Sequence, residues 1–416
     1  MSHPVPPNVL LVCGGFPLRS ETFIRDHATG LIDARCNVTV LALHPGDASP
    51  WDAHEQSVGL PNRVRTADIN RPVSLRMALG IARAARLGCV APRLAFRAID
   101  PRLGWRAPSG QLLEAAAALG ISSAPHRFDR IHAEFGPSGV VASVLRRAGL
   151  IAGPLSVAFY GYDTTRALRS SRAGLYTDLF TDADLILPNS EYLAHQLRAI
   201  GAPPERLIVH RLGVDITRFT PSPSLPRADG AWTAVAIGRC VPKKGFATLI
   251  RAMALAGDDA PSLTLIGDGP LLGDLRVLAN ELGVSRRIRF AGWCDRAEVA
   301  AELAQADALI APSETAADGD IEGMPVVIME AMATGLAILG TQHSGIPEIV
   351  RDGVNGFTVA ERDAKSLAQA MARLADPATR VRFGRASREI AVRELSHAML
   401  IRRLVALLLD NRRIDL

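Results

Sequence analysis

Several things are scarce in this 416-residue chain, and each scarcity excludes a class. Only 5% of residues are aromatic, lysine occurs three times against 44 arginines, and the net charge is a diffuse +5. With no recognition motif, that profile excludes a nucleic-acid binder. The five cysteines, Cys13, Cys36, Cys89, Cys240 and Cys294, are widely spaced and never form a C-x-x-C pair. Neither a disulfide framework nor a structural zinc site follows, and a reducing compartment is expected. No 18-residue apolar run exists, because charges such as Arg146 and Arg147 break the longest candidate, so no transmembrane helix is expected. The opening run Val9–Cys13 has no basic residues before it and no cleavage site after it, and reads as a first strand rather than a signal peptide. What remains is a chain with 48% hydrophobic residues, long enough for two cores.

The charge is lopsided. Residues 1–220 carry 24 Arg against 18 acids (+6), and residues 221–416 carry 23 Lys+Arg against 24 acids (−1). Eight arginines (71, 76, 83, 86, 93, 97, 102 and 106) lie between Ile69 and Arg106 with one acid, Asp100, among them. Interleaved with apolar residues, they form either a solvated helical face or a surface resting on an anionic membrane.

Short β-rich runs alternate with longer Ala/Leu/Arg stretches. Strands are expected at Asn8–Cys13, Asn37–Leu43, Arg130–Ala133, Leu155–Phe159, Leu185–Pro188 and Leu207–His210, then at Thr233–Ile237, Leu263–Ile266, Ile288–Phe290, Ala308–Ala311 and Ala337–Leu339. Such alternation builds parallel sheets from βαβ units. Prolines 221, 223 and 226 mark Thr220–Trp232 as a linker. The expected fold is α/β: two Rossmann-like, doubly wound domains, 1–217 and 218–395, facing a central cleft, with the C-terminal stretch 396–416 packing back on the first. In such sheets ligands sit beyond the carboxyl ends of the strands.

The loops at those ends carry the chemistry. After Thr233–Ile237 come Gly238, Arg239, Lys244 and Gly245, two cations and close-approach backbone suited to a diphosphate. Gly267-Asp268-Gly269-Pro270 follows the next strand, with spacing that departs from the dinucleotide fingerprint. Gly323 and Pro325 mark a helix start, whose free N–H groups favour an anion. Glu322 lies at its mouth, and Glu330 two turns further along the same helix. By spacing alone the two glutamates either line one ligand or flank a buried helix.

Taken together, Gly238-Arg239…Lys244-Gly245, Gly267-Asp268-Gly269-Pro270, Glu322-x7-Glu330 and Gly345-Ile346-Pro347-Glu348 closely resemble glycosyltransferase family 4. In the first half the same holds for Ser20-Glu21-Thr22-Phe23, His132-Ala133-Glu134-Phe135-Gly136, Gly161-Tyr162-Asp163, Asn189-Ser190-Glu191 and Gly213-Val214-Asp215. The wording is most similar to members that build bacterial exopolysaccharides of the colanic-acid type. The resemblance implies the GT-B fold and retaining transfer of a hexose from a UDP- or GDP-sugar to a glycan or polyprenyl-diphosphate-linked acceptor. It implies no metal or other cofactor and a cytoplasmic protein, peripheral at the inner membrane face. Arg239 and Lys244 would hold the diphosphate, and Glu322 the donor-sugar hydroxyls beside the backbone of Gly323, Met324 and Pro325. Glu330 would bind the ribose. Gly238, Gly267, Gly269 and the backbone around Trp293 would flank the nucleotide, Trp293 having an equal claim to the core. Gly14, Gly15, Glu134, Tyr160 and Asp163 would face the acceptor, Glu134 having an alternative role at a strand end.

One departure stands out: Tyr160 occupies the place where the family often has histidine; a tyrosine there can still donate a hydrogen bond to the donor sugar, but unlike histidine it is a poor acid or base near neutral pH. The triplets Asp318-Gly319-Asp320 and Asp182-Ala183-Asp184 read as capping or surface acids rather than metal ligands. The histidines, His132, His210 and His343 among them, show no metal-ligand spacing, and His343 reads as a turn residue or a border to the diphosphate. The alternatives from other classes are a catalytically silent nucleotide-binding scaffold and a nucleotide-sugar epimerase on the same fold.

Overall fold

A computed structural model describes residues 5–19, 21–47, 49–165, 174–221 and 231–409. Ser20, most of the proline-rich linker, the side chain of Arg86 and the tail beyond Leu409 lie outside the described residues.

Two six-stranded, wholly parallel sheets organise the chain. The first has the order β3-β2-β1-β5-β7-β8, from β1 (Asn8–Phe16), β2 (Asn37–Pro45), β3 (Val64–Thr66), β5 (Arg130–Glu134), β7 (Leu155–Phe159) and β8 (Leu185–Pro188). A separate two-stranded pair joins β4 (His126–Arg127) and β6 (Ile151–Ala152). The second sheet repeats the scheme as β11-β10-β9-β12-β13-β14, from β9 (Thr233–Ile237), β10 (Ser262–Ile266), β11 (Ile288–Gly292), β12 (Ala308–Ala311), β13 (Ala337–Thr341) and β14 (Gly356–Val359). Central strands are buried along their whole length, as both β5 (RIHAE) and β13 (AILGT) show, because helices cover both faces.

One expected strand needs correction, and two edge strands were not expected. Leu207–His210 is no strand: Leu207 makes an isolated bridge to Ile186, and Ile208 and His210 donate to the carbonyls of Ile186 and Pro188. The edge strands are short: β3 (VRT) is largely exposed, and β14 (GFTV) buries only its first two residues, so neither gives a long apolar run to read.

The chain crosses between the sheets twice, and the crossings are zipped together. The Val214 amide donates to Leu395 O, and the His397 amide to Val214 O. A Cβ on Gly213 would sit 2.5 Å from His397 Cα, so only glycine admits this approach. Leu212, Val214 and Phe219 enter the core of the second sheet. The helix His397–Leu409 returns to the first, burying Ile401, Leu404 and Leu408 against Val9, Leu11 and Leu31.

Contacts across the cleft fix how the halves meet. Arg296, at the start of a second-half helix, makes a two-pronged bond of 2.9 and 2.5 Å to Asp26 in the first half. Glu348 accepts from the amides of Glu191 and Tyr192 at 3.1 and 3.0 Å, capping a first-half helix, and pairs with Arg211.

Candidate active site

β9 runs out into Gly238, whose φ of 152° and missing Cβ let the Lys244 side chain lie across it; a Cβ there would be 2.7 Å from Lys244 Cε. Gly267, just after β10, packs so tightly that a Cβ would sit 1.9 Å from Gly238 O. The two glycine loops thus form one backbone floor, which explains Gly267 and Gly269 without a dinucleotide fingerprint.

Above that floor stands Glu322. Lys244 Nζ lies 3.2 Å from one carboxylate oxygen, and Lys243 Nζ lies 3.5 Å from the other and 3.2 Å from Asp320. Burial alone would raise the Glu322 carboxyl, but Lys244, then Lys243 and His343, overcome it and hold it at about 2. Oε1 of Glu322, the oxygen facing Lys243, is buried and makes no hydrogen bond among the described residues, so it retains acceptor capacity. The Glu322 amide donates to His343 Nε2 at 3.0 Å, which makes Nδ1 the protonated nitrogen, and that proton is donated to Glu361 at 2.6 Å. His343 therefore orients the loop and is no free turn residue.

Lys243 and His343 are the site residues that sequence reasoning missed or underrated. The paired lysines, two of only three in the chain, were the available signal.

The helix that follows runs Val326–Thr334, with Pro325 just outside it at the N-cap rather than in its first turn. Met324 is buried, and Gly323 abuts the other half: a Cβ would sit 1.9 Å from Tyr160 O. Glu330 is largely buried. Desolvation raises its carboxyl to about 7 although Arg296 opposes the rise, so an incoming hydrogen-bond donor has a carboxyl to meet. Trp293 is 52% exposed, which rules out the core alternative, and Arg19 from the first half lies 4.8 Å from its ring centroid. Arg239 is exposed at the end of β9.

On the first-half wall, Glu134 is fully buried and committed. It accepts from His27 Nδ1 at 2.9 Å and from the Tyr160 hydroxyl, and His132 Nε2 approaches to 3.6 Å. Burial opposes ionisation, but the His27 contact and its neighbours hold Glu134 at about 2, while burial drops His132 to about 4. The fold thus gathers His27, His132 and Glu134, ligand-type atoms within 4.8 Å, which no spacing along the chain reveals. Tyr160 is clamped among Phe23 and Phe135, and burial then Glu134 push its phenol well above its ordinary range. Its proton is spent on Glu134, so the expectation that Tyr160 donates to a donor sugar is corrected. Asp163 is likewise occupied by the amides of Gly136, Tyr160 and Gly161. Gly14 and Gly15 lie in β1 against His44. In the aspartate triplets, Asp320 pairs with Lys243, Asp182 with Arg147 and Asp184 with Arg146, and each of these ion pairs occupies a carboxylate.

The arginine-rich segment divides as well. Arg76 is buried and donates to backbone carbonyls of Ile69, Arg71 and Ser109, while Arg71 and Arg83 pair with Asp68 and Glu114. Arg93, Arg97 and Arg102 stay exposed beside Phe96 (74%) and Trp105 (61%).

Residues 218–390 match the family described as glycosyl transferases group 1. The chain is 35% identical over 360 residues to the putative colanic acid biosynthesis glycosyltransferase WcaL of Escherichia coli, spanning 86% of this chain and 88% of that one. It is 30% identical over 375 residues to the amylovoran biosynthesis glycosyltransferase AmsK of Erwinia amylovora, with the same coverage. Among solved structures, Anabaena Alr3699/HepE in complex with UDP superposes with a TM-score of 0.70 at 19% identity, over 97% of this chain and 99% of that one. The chain therefore belongs to the group 1 glycosyl transferases and is a glycosyltransferase with the GT-B fold.

Proposed function

We propose that this glycosyltransferase moves a hexose, with retention of anomeric configuration, from a UDP- or GDP-sugar to a glycan or polyprenyl-diphosphate-linked acceptor in exopolysaccharide assembly. The observation that carries the reading is the Lys243/Lys244/Glu322 cluster on the glycine floor, which puts fixed cations and a carboxylate oxygen that makes no hydrogen bond among the described residues at one point of the cleft. Relatives named for colanic acid and amylovoran biosynthesis, and a fold neighbour holding UDP, support it.

On this reading Arg239 and Lys244 bind the diphosphate and neutralise the charge that grows on it as the sugar–phosphate bond breaks, the role a divalent metal serves elsewhere. Glu322 Oε1 accepts from a sugar hydroxyl, Glu330 from the ribose, and Trp293 flanks the base. Arg93, Arg97, Arg102, Phe96 and Trp105 bring the first domain to an anionic membrane where a lipid-linked acceptor resides. The test is transfer from UDP-glucose, UDP-galactose and GDP-mannose to lipid-linked saccharides in EDTA, with the new linkage read by NMR. An α-linked product supports the reading; a β-linked product, or sugar interconversion without acceptor, contradicts it.

A further inference from the structure

The first domain buries more imidazole than its hydrogen bonds use. His27 on the helix Thr22–Asp33, His132 and Glu134 on β5, and His210 beyond β8 are each at most 5% exposed. None of them belongs to the donor site described above.

A mismatch of protons singles out this cluster. His132 Nδ1 lies 2.9 Å from Ser156 Oγ. On the other side of the ring, Nε2 is buried 3.6 Å from Glu134 Oε1 and makes no hydrogen bond among the described residues. Ser156 has one hydroxyl proton, and Ile131 O stands 3.2 Å away to accept it. With that proton so placed, His132 carries its own on Nδ1, and the Nε2 lone pair faces a carboxylate oxygen, acceptor against acceptor. In the other tautomer the Nε2 proton is stranded, because 3.6 Å is too long for a hydrogen bond. Both arrangements leave a buried polar atom unsatisfied, whereas a cation between Nε2 and Oε1 satisfies both acceptors.

The distances suit a transition ion. Tetrahedral zinc, with bonds of about 2.0–2.2 Å, holds its ligand atoms roughly 3.3 Å apart. His27 Nδ1 and His132 Nε2 stand 2.9 and 3.6 Å from Glu134 Oε1, on either side of that spacing, and one ligand atom from each of the three residues lies within 4.8 Å of the others. Groups behind the ligands hold them in place: Ser156 on His132 Nδ1, and the Tyr160 hydroxyl on the second Glu134 oxygen. His210 adds a further imidazole, its ring centroid 6.4 Å from that of His27 and both its nitrogens buried without a hydrogen bond among the described residues. Burial keeps His132 and His210 neutral, lowered to about 4 and about 3, which is the form that ligates a metal.

We propose that His27, His132 and Glu134 form a structural site for a divalent transition ion of the zinc type, with His210 at the fourth position. Uptake involves no redox step. The ion takes the Nδ1 lone pair of His27, whose proton leaves to solvent, together with the Nε2 lone pair of His132 and Glu134 Oε1. It ties the helix after β1 to the carboxyl end of β5 and, through Glu134, to Tyr160 on the cleft wall. The site stands apart from the diphosphate and is independent of the donor reading; it amends the expectation of a protein without metal.

The experiment uses the untagged full chain. Elemental analysis by mass spectrometry after growth with added zinc should find about one zinc per chain, and protein unfolded in urea with a chelator should regain it on refolding with Zn²⁺. X-ray absorption should show only nitrogen and oxygen ligands, at about 2.0–2.2 Å. His132→Asn keeps a donor for Ser156 and removes Nε2, and His27→Asn keeps a donor for Glu134 and removes the ring lone pair. Each should lower zinc affinity, measured by chelator competition, by more than about 100-fold, beyond the cost of losing a residue behind a ligand. Lys244→Met should keep its zinc. A content below about 0.1 zinc per chain both as isolated and after refolding, sulfur ligands, unchanged affinity in either asparagine variant, or zinc lost in Lys244→Met would overturn the proposal. Should the asparagine variants fail to fold, the zinc content and X-ray absorption of the wild type decide it.

Discussion

Replacing Lys244 with Met removes the nearer of the two cations on Glu322 while keeping the stem that lies over Gly238. The Glu322 carboxyl sits at about 2 in the fold. Against about 4.3 for a free glutamate, that gap corresponds to about 3 kcal/mol of stability. Because the folded value is depressed, this stability is present above about pH 4.3 and is lost as pH falls towards 2. In Lys244→Met, Lys243 remains at 3.5 Å and retains part of it. The expected loss at pH 7 is about 1–3 kcal/mol, with Glu322→Gln in the Lys244→Met background recovering some of it because no uncompensated buried charge is left. A double-mutant cycle by urea unfolding at pH 7 should give a coupling of about 1–3 kcal/mol that shrinks towards pH 3. A coupling below about 0.3 kcal/mol at both pH values would refute the electrostatic account of this site.

Other parts of the structure make independent claims. Gly323→Ala puts a methyl group into Tyr160 O across the cleft, so small-angle scattering should show a more open particle; an unchanged radius of gyration would show that the contact tolerates it. Glu348→Ala leaves the Glu191 and Tyr192 amides without their carboxylate acceptor, Ser190 remaining as the N-cap of that helix, and abandons Arg211, for an expected loss of about 1–2 kcal/mol. Thermal unfolding matching wild type would deny the clamp. Vesicles containing anionic lipid should float the protein, more weakly as salt rises, and Phe96→Ser with Trp105→Ser should reduce flotation. Equal binding to neutral and anionic vesicles would sink the electrostatic part.

Much of the fold was legible because most central parallel strands are nearly continuous apolar runs: β7, β12 and β13 announce themselves, whereas β5 (RIHAE) carries Arg130, His132 and Glu134 into the buried sheet. β3 and β14 did not, because edge strands bury only part of their surface. At the site, Arg239, Lys244 and Glu322 were readable because glycine-bounded strand ends mark where ligands sit. The Asp26–Arg296 bond, the Glu348 clamp and the His27–Glu134 contact join residues more than a hundred positions apart, and only the folded sheets bring them together. Likewise, the number of arginines in 71–106 suggested a free basic face, whereas acids outside that segment and backbone carbonyls consume several of them.

The most direct test of the central claim is calorimetric titration of the full chain with UDP-glucose, UDP-galactose and GDP-mannose in EDTA, beside Lys244→Met. One nucleotide class should bind without metal, and the variant should bind it about 10- to 100-fold more weakly, as expected for losing a charge-assisted phosphate contact worth about 1.5–3 kcal/mol. Binding that requires added Mg²⁺ or Mn²⁺, or that Lys244→Met leaves intact, would contradict the account of a diphosphate held by protein cations.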